Sequence, residues 1–180
     1  QETDMNRRNL ETLLLTLEST PALLERAAEA ICPSEISRRP ADGSFSFVEN
    51  VWHLADLERE AYGVRIQRIV SENEPMLSNF DGERIARERR YQDRDVAAGL
   101  AAFASARRRN LEALRHRATE DWKRAAVQDG VGTVTLEDLP RMMAEHDRSH
   151  TADVARLIEE FSGSDCPPAE MGPRSVSAWA

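Results

Sequence analysis

The sequence contains few of the residues that mark disulfide-rich or membrane-spanning proteins. Of its 180 residues two are cysteine and 6% are aromatic, which excludes a disulfide framework and a CxxC metal site. No apolar run approaches the roughly 20 residues that a transmembrane helix needs. We therefore predict a cytoplasmic protein that has no membrane partner and keeps Cys32 and Cys166 as free thiols.

Basic residues are outnumbered by acidic ones. Lysine and arginine number 24 against 32 aspartate and glutamate residues, so the formal net charge is −8. Phosphate backbones are bound by basic faces, and this balance argues against a nucleic-acid partner. Two arginine runs, at residues 87–90 and 107–109, lie among acidic residues or on a helical pattern, so we interpret both as solvated faces.

Between a few clusters of glycine and proline, the apolar residues repeat with the period of an α-helix. A first helix carries a leucine stripe from Leu10 and ends near Pro33. At Thr20 an N-cap residue precedes a proline, which predicts that the helix restarts or kinks there.

A second helix begins at a capping box, in which Glu49 is spaced to reach back to the amide of Ser46. It continues to about residue 71 without a breaker. Its apolar positions cover more than one face, as expected for a helix inside a bundle; they are Val48, Val51, Trp52, Ala55, Tyr62, Val64, Ile66 and Ile69.

Two further helices are predicted, one from about Asp95 to Ala118 and one from the Thr135–Asp138 cap to Phe161. The run VGTVTL has β character, but a single run cannot make a sheet. The polar connection 72–94 is long enough to return the chain along the molecule. We therefore predict an all-α fold, a four-helix bundle in up-down-down-up order with a long crossover between helices two and three. The bundle spans residues 1–162, and a tail follows at 163–180.

Three of the four histidines are placed to meet. His146 and His150 are spaced i, i+4, so both rings project from one face of the fourth helix, about one turn apart. His53 lies on the second helix and could complete a three-histidine site. Three protein ligands leave a coordination position open, which is typical of catalytic metal sites. His116, near the end of the third helix, should take no part.

Other polar residues near this pattern have alternative explanations. Asp56 could orient a ligand histidine from behind or form an exposed ion pair, and Glu49 is a second such candidate. Arg107 falls on the apolar stripe of the third helix, where its side chain could extend to the solvent at the bundle rim, hold a carboxylate-bearing substrate or form a structural ion pair. Each histidine could also be an ordinary hydrogen-bonded residue.

Two segments of the sequence resemble motifs of the DinB-like superfamily of bacterial four-helix-bundle metalloproteins. The segment GSFSFVENVWHLADLE is similar to the family's aromatic–Ser…Glu…His-Leu-x-Asp-x-Glu stretch, and MAEHDRSHTADVARLI resembles its closing His-Asp-x-x-His helix. Weaker matches are Phe103…Arg107…Leu111 and Asp121-Trp122. Phe45 stands where many members have tryptophan.

The resemblance implies a divalent metal, zinc or nickel, at the positions of His53, His146 and His150. It implies a small-molecule substrate and thiol S-transferase or hydrolase chemistry, with a low-molecular-weight thiol as a possible cofactor. The alternative is a non-enzymatic metal-binding or stress-response scaffold. A homodimer is a further expectation, since the apolar tail residues Val176 and Trp179 need cover.

Overall fold

The computed structural model describes residues 2–161, with side chains described from Arg8 onward, and helices dominate it. The α-helices are α1 Glu2–Ala30, α2 Phe47–Asp56, α3 Gly63–Ser71, α4 Gly82–Glu88, α5 Val96–Arg115 and α6 Asp138–Phe161. A π-helical segment, Leu57–Tyr62, joins α2 to α3, and two 3-10 turns lie at Tyr91–Asp93 and Thr119–Lys123. The strands are β1 Met76–Leu77, β2 Ala125–Gln128 and β3 Gly132–Thr135.

Helix α1 runs through Pro21 without the restart that the sequence predicted. A proline has no N–H, so the carbonyl four residues earlier loses its helical donor. That carbonyl belongs to Leu17, and Arg107 supplies a replacement donor through Nη1 at 2.9 Å. The hydroxyl of Thr20 donates to Asp147 at 2.7 Å. Tertiary hydrogen bonds thus occupy the groups that a helix break would have exposed.

The capping box at the start of α2 is confirmed, since the side chains of Ser46 and Glu49 each bond the backbone amide of the other. The helix predicted to run unbroken to residue 71 instead contains the π-helical segment. A π turn widens the helix locally and so rotates the later residues about its axis. Val64, which the sequence placed on the apolar stripe, is consequently 41% exposed, while Arg65 is 6% exposed.

A three-stranded sheet corrects the prediction that the chain has no sheet. Strands β2 and β3 pair antiparallel around a turn in which Gly130 and Gly132 have positive φ. Strand β1, from the crossover between α3 and α5, pairs parallel with β2. The sequence hid this sheet because β1 is two residues long and lies some 50 residues away from its partner. The fold is therefore mostly helical, with a small sheet at one side.

The buried apolar side chains form two clusters. One contains Leu14 of α1, Ile69 of α3, Leu114 of α5 and Met143 of α6. The other combines Leu24 of α1 with residues of α2, α5 and α6. No helix within residues 2–161 is long and apolar enough to cross a bilayer. The bundle is thus held by contacts among all its long helices, and their up-down order stays a prediction.

Some predictions concern the cysteines and the chain terminus. Cys32 is disulfide-bonded, so the prediction of a free thiol there is wrong. Cys166, Val176, Trp179 and the tail at 163–180 lie outside the described residues. The dimer that covers the tail stays a prediction.

Candidate metal centre

Two helices bring three histidine rings together. His53 lies on α2, and His146 and His150 lie one turn apart on α6. The ring centroids are 5.2 Å apart for His53 and His146, 4.7 Å for His53 and His150, and 4.4 Å for His146 and His150. One nitrogen of each ring lies within 4.8 Å of the other two. The three side chains could therefore share one metal ion.

The spacing of two of these nitrogens matches a metal site. Nε2 of His53 lies 3.3 Å from Nε2 of His146. Nitrogen ligands about 2.0–2.1 Å from a tetrahedral zinc ion are separated by about 3.3 Å. Two neutral rings at this distance could share one hydrogen bond, whereas a cation would use the lone pairs of both. The observed geometry fits a ligand set.

All three rings favour the neutral state that a metal ligand requires. Burial lowers the pKa of His53 to about 3, helped by the neighbouring His150 and His146. Burial also lowers the pKa of His146 to about 4, and both His150 and Arg65 add to this shift. The pKa of His150 is lowered chiefly by burial. At neutral pH the nitrogens carry lone pairs, so protons do not compete strongly with a cation.

Asn50 orients His150 and was not identified from the sequence. Its Oδ1 accepts from Nδ1 of His150 at 2.7 Å, and its Nδ2 donates to the carbonyls of Phe45 at 3.1 Å and Ser46 at 3.0 Å. The two carbonyls fix the amide so that its oxygen faces the imidazole. This leaves Nε2 of His150 for the ion. A buried asparagine three residues before His53, on the same helix, was the available signal.

We expect Asn50→Leu to weaken zinc binding by about 10- to 100-fold, because His150 loses the partner that fixes its tautomer and ring orientation. Calorimetric zinc titration of the metal-free protein measures the change. Asn50→Asp keeps an oxygen toward His150 and should stay closer to the unsubstituted protein. Zinc binding by the leucine variant at full affinity would show that Asn50 has no orienting role.

The free energy of unfolding of the metal-free protein should fall as the pH drops from about 6.5 to 5. In this range the unfolded chain protonates His53 and His146 near their usual pKa of 6.5, while the folded values of about 3 and 4 keep them neutral. The unfolded state then binds more protons, so acid destabilises the fold. The loss should reach about 2 kcal/mol per histidine at pH 5.

Urea unfolding at pH 7.5, 6.0 and 5.0 measures this dependence. Most carboxylates titrate below that range, which separates their contribution from that of the histidines. A variant with both His53→Gln and His146→Gln should lose most of the pH dependence. An equally steep dependence in that variant would contradict the assignment.

His53 is held by packing. Phe45 and Phe80 lie with their ring centroids 5.6 and 5.9 Å from it. A Cβ atom added at Gly82 would lie 2.3 Å from Cε1 of His53, so the start of α4 approaches the imidazole where only glycine fits. Nδ1 of His53 and Nδ1 of His146 are buried without a hydrogen-bond partner among the described residues. Shape complementarity, more than hydrogen bonding, orients these two rings.

The predicted supporting carboxylates have other partners. Glu49 accepts from the amide of Ser46 at 3.0 Å and from Nε of Arg39 at 2.9 Å. Asp56 is fully buried and accepts from the hydroxyl of Tyr91 at 2.6 Å, from Arg59 at 2.7 Å and from Arg89. No hydrogen bond between described residues joins either carboxylate to a histidine of the cluster. Their supporting role stays a prediction.

Arg107 lies in the core, 1% exposed. Its Nη1 and Nη2 bond the two oxygens of Asp147 at 2.7 and 2.8 Å, and Nη2 also bonds Glu58 at 2.8 Å. Burial alone would lower the pKa of Arg107, but these carboxylates raise it. Protein groups therefore take up both terminal nitrogens. Because Asp147 follows His146, this ion pair also anchors the ligand-bearing helix.

The histidine cluster is partly open to solvent. His53 is 8% exposed, whereas His146 and His150 are half-buried. His116 caps the end of α5, is exposed and is not in the cluster. The two rings on α6 are thus more exposed than the ring of His53.

Comparisons with known proteins agree on the fold. A family model described as the DinB superfamily matches residues 16–154. The Bacillus subtilis (strain 168) protein "Putative metal-dependent hydrolase YfiT" is 23% identical over 161 residues, 89% of this chain and 90% of that protein. The solved structure of YfiT, described as "a probable metal-dependent hydrolase with an unusual four-helix bundle topology", has a TM-score of 0.79 and 23% identity, over 86% of this chain and 89% of that one.

Proposed function

Because the chain belongs to the DinB superfamily, we propose that it is an enzyme that binds one divalent cation through His53, His146 and His150 and hydrolyses a small-molecule substrate there. The observation that carries this proposal is the convergence of the three ring nitrogens, with 3.3 Å between Nε2 of His53 and Nε2 of His146. The description of YfiT as "a probable metal-dependent hydrolase" supports the reaction class.

The chain's own residues divide the work at this site. A divalent ion held there would lower the pKa of a bound water and so supply a nucleophile at neutral pH. Asn50 orients His150, and the packing of Gly82 and Phe80 holds His53. The neighbouring carboxylates of Glu49, Asp56 and Asp147 are all paired with arginine. The roles left to the chain's own residues are therefore to hold the ion, to orient its histidine ligands and to shield the site.

Zinc and nickel are the proposed ions, since both accept neutral imidazole ligands. The family resemblance also supports a second reaction, transfer of a low-molecular-weight thiol to an electrophile, because the same ion could bind a thiolate. A non-enzymatic metal-binding scaffold is the remaining alternative. We further propose a cytoplasmic location.

We also infer the up-down-down-up order of the helices. The partition of the core supports it: Leu14 of α1 shares a cluster with Met143 of α6, and Leu24 of α1 shares the other with Phe161 of α6. These two helices thus pass from the first cluster to the second along the chain. The direction is reversed for the α2–α3 unit and for α5, since Phe47 and Phe103 belong to the second cluster and their later residues to the first.

The test begins with metal-free protein prepared by chelation. Calorimetric titration with Zn²⁺ or Ni²⁺ should give one site per chain. The loaded protein is then assayed with a panel of aryl esters and amides, and separately with glutathione or cysteine plus 1-chloro-2,4-dinitrobenzene. Metal-dependent hydrolysis supports the proposal, whereas metal-dependent thiol transfer alone would favour the second reaction. One bound ion without turnover in either assay would favour the scaffold.

A further inference from the structure

Arg65 is a buried cation without a compensating carboxylate. It lies on α3 and is 6% exposed. It forms no ion pair with a carboxylate of residues 8–161, and its Nε is buried with no hydrogen-bond partner there. Burial lowers its pKa, and the neighbouring Tyr62 offsets only part of that shift. Burying a charge without a partner costs free energy, so a protein that retains one has a use for it.

Arg65 lacks a carboxylate partner on the guanidinium edge formed by Nε and Nη2. Other arginines of this chain bind carboxylates through that same edge. Arg68 bonds the two oxygens of Glu72 through Nε at 2.8 Å and Nη2 at 2.7 Å. Arg39 uses the same pair of nitrogens on Glu49. On Arg65, Nε is unpartnered and Nη2 has one long contact, 3.4 Å, to the carbonyl of Ser78. A planar pair of oxygens would satisfy both donors at once.

Arg65 and the histidine cluster share a covering segment. Both Arg65 and His53 lie beneath one short segment, residues 78–82. The carbonyl of Ser78 contacts Arg65, and Phe80 and Gly82 pack on His53.

Hydrogen bonds hold the part of this segment over Arg65 only weakly, while Phe80 packs on His53 and on the core. Among the described hydrogen bonds, the long contact to Arg65 is the one that joins residues 78–80 to another element. Ser78 and Asn79 are exposed. A ligand oxygen could replace the Ser78 carbonyl after a small outward shift of these residues.

We propose that Arg65 binds the carboxylate of an acidic small-molecule substrate while the three histidines hold the ion that acts on it. This deepens the proposed function and rests on it for the reaction, although the binding itself needs no ion. The Nε–Nη2 edge engages the two carboxylate oxygens, and the face of Tyr62, whose ring centroid lies 5.5 Å from the guanidinium carbon, supports the cation from one side.

Benzoate, its neutral analogue benzamide, and phenyl phosphate serve as probes in NMR titrations of the metal-free and the zinc-loaded protein. We expect Arg65→Met to weaken benzoate binding at least about tenfold in both forms. Benzamide binding should not change. Arg68→Met, on the same helix with its guanidinium paired to Glu72, is the matched control and should leave benzoate binding within about twofold. Arg65→Lys keeps the charge without the two-donor edge, so it should also bind benzoate more weakly.

Stability gives an independent readout. Because Arg65 has no carboxylate to leave unpaired, Arg65→Met should unfold at an equal or higher urea concentration than the unsubstituted protein. A lower midpoint would assign Arg65 a structural role and overturn the proposal. Equal benzoate affinity with and without Arg65 would also overturn it. If phenyl phosphate bound more than tenfold tighter than benzoate, and this binding depended on Arg65, the site would be assigned to a phosphate and the carboxylate proposal would be overturned.

These results separate the inference from the proposed function. Arg65-dependent benzoate binding by a protein that takes up no zinc would support the anion site and exclude the metal-dependent reaction. Zinc binding and hydrolysis with no preference for acidic over neutral esters, in the unsubstituted protein and in Arg65→Met alike, would leave the reaction in place and overturn the role of Arg65.

Discussion

His146→Ala is expected to lower zinc affinity by more than about 100-fold and to abolish metal-dependent turnover. Substitution of a residue that hydrogen-bonds a metal ligand commonly lowers metal affinity 10- to 100-fold. Loss of a ligand itself should lower the affinity further. The ring centroid of His146 lies 4.4 Å from that of His150 and 5.2 Å from that of His53. Its removal leaves two ligands on different helices. Calorimetry and metal analysis after dialysis measure the loss.

The fold should survive this substitution. His146 is half-buried, and the neighbouring Asp147 keeps its bonds to Arg107. Far-ultraviolet circular dichroism should therefore be unchanged. His116→Ala, an exposed histidine outside the cluster, is the control and should keep full metal occupancy. Retention of one tightly bound ion by a variant with both His53→Ala and His146→Ala would refute the site.

Arg107→Met should lower the free energy of unfolding by about 3–5 kcal/mol, the range seen when one partner of a buried ion pair is removed. The guanidinium is 1% exposed and bonds Asp147, Glu58 and the carbonyl of Leu17. Methionine fills much of the volume, so the loss reports the unpaired groups more than a cavity. Urea denaturation of the metal-free protein at pH 7.5 is the measurement.

Two further variants serve to interpret the result for Arg107→Met. Arg109→Met, on the exposed side of the same helix, should change stability by less than about 0.5 kcal/mol. Adding Asp147→Asn to Arg107→Met should recover part of the loss, because one fewer buried charge is left unpaired. A loss below about 1 kcal/mol in the single variant would show that water or neighbouring residues compensate for the arginine.

The metal-ligand candidates could be proposed from the sequence because their geometry is mostly local. On one helix, an i, i+4 spacing brings His146 and His150 to the same face whatever the rest of the chain does. His53 lies nearly 100 residues away on another predicted helix, so its inclusion depended on how the two helices pack, and the motif resemblance supported it. The structure brings all three rings together, and the binding of the ion awaits the titration.

The supporting residues were less visible because their roles depend on distant partners. The role of Asn50 depends on its hydrogen bond to His150, 100 residues away. Asp56 was a reasonable partner for a histidine on the same stripe, yet Tyr91 and Arg89 from the crossover reach it. Arg107 was recognised as anomalous, but whether it met a substrate or a carboxylate depended on where α6 packs.

The sequence by itself determined the local elements: the capping box at Ser46, the main helices, and the pairing of His146 with His150 on one face. These elements depend on backbone hydrogen bonding and helical periodicity, which act over a few residues. Tertiary structure alone decided the continuity of α1 through Pro21, the small sheet, and the burial of Arg65 while Val64 is exposed. Long-range contacts supply the hydrogen-bond partners at Pro21 and in the sheet, and the π-helical segment turns Arg65 inward and Val64 outward. Local sequence does not encode which residues the fold brings to these positions.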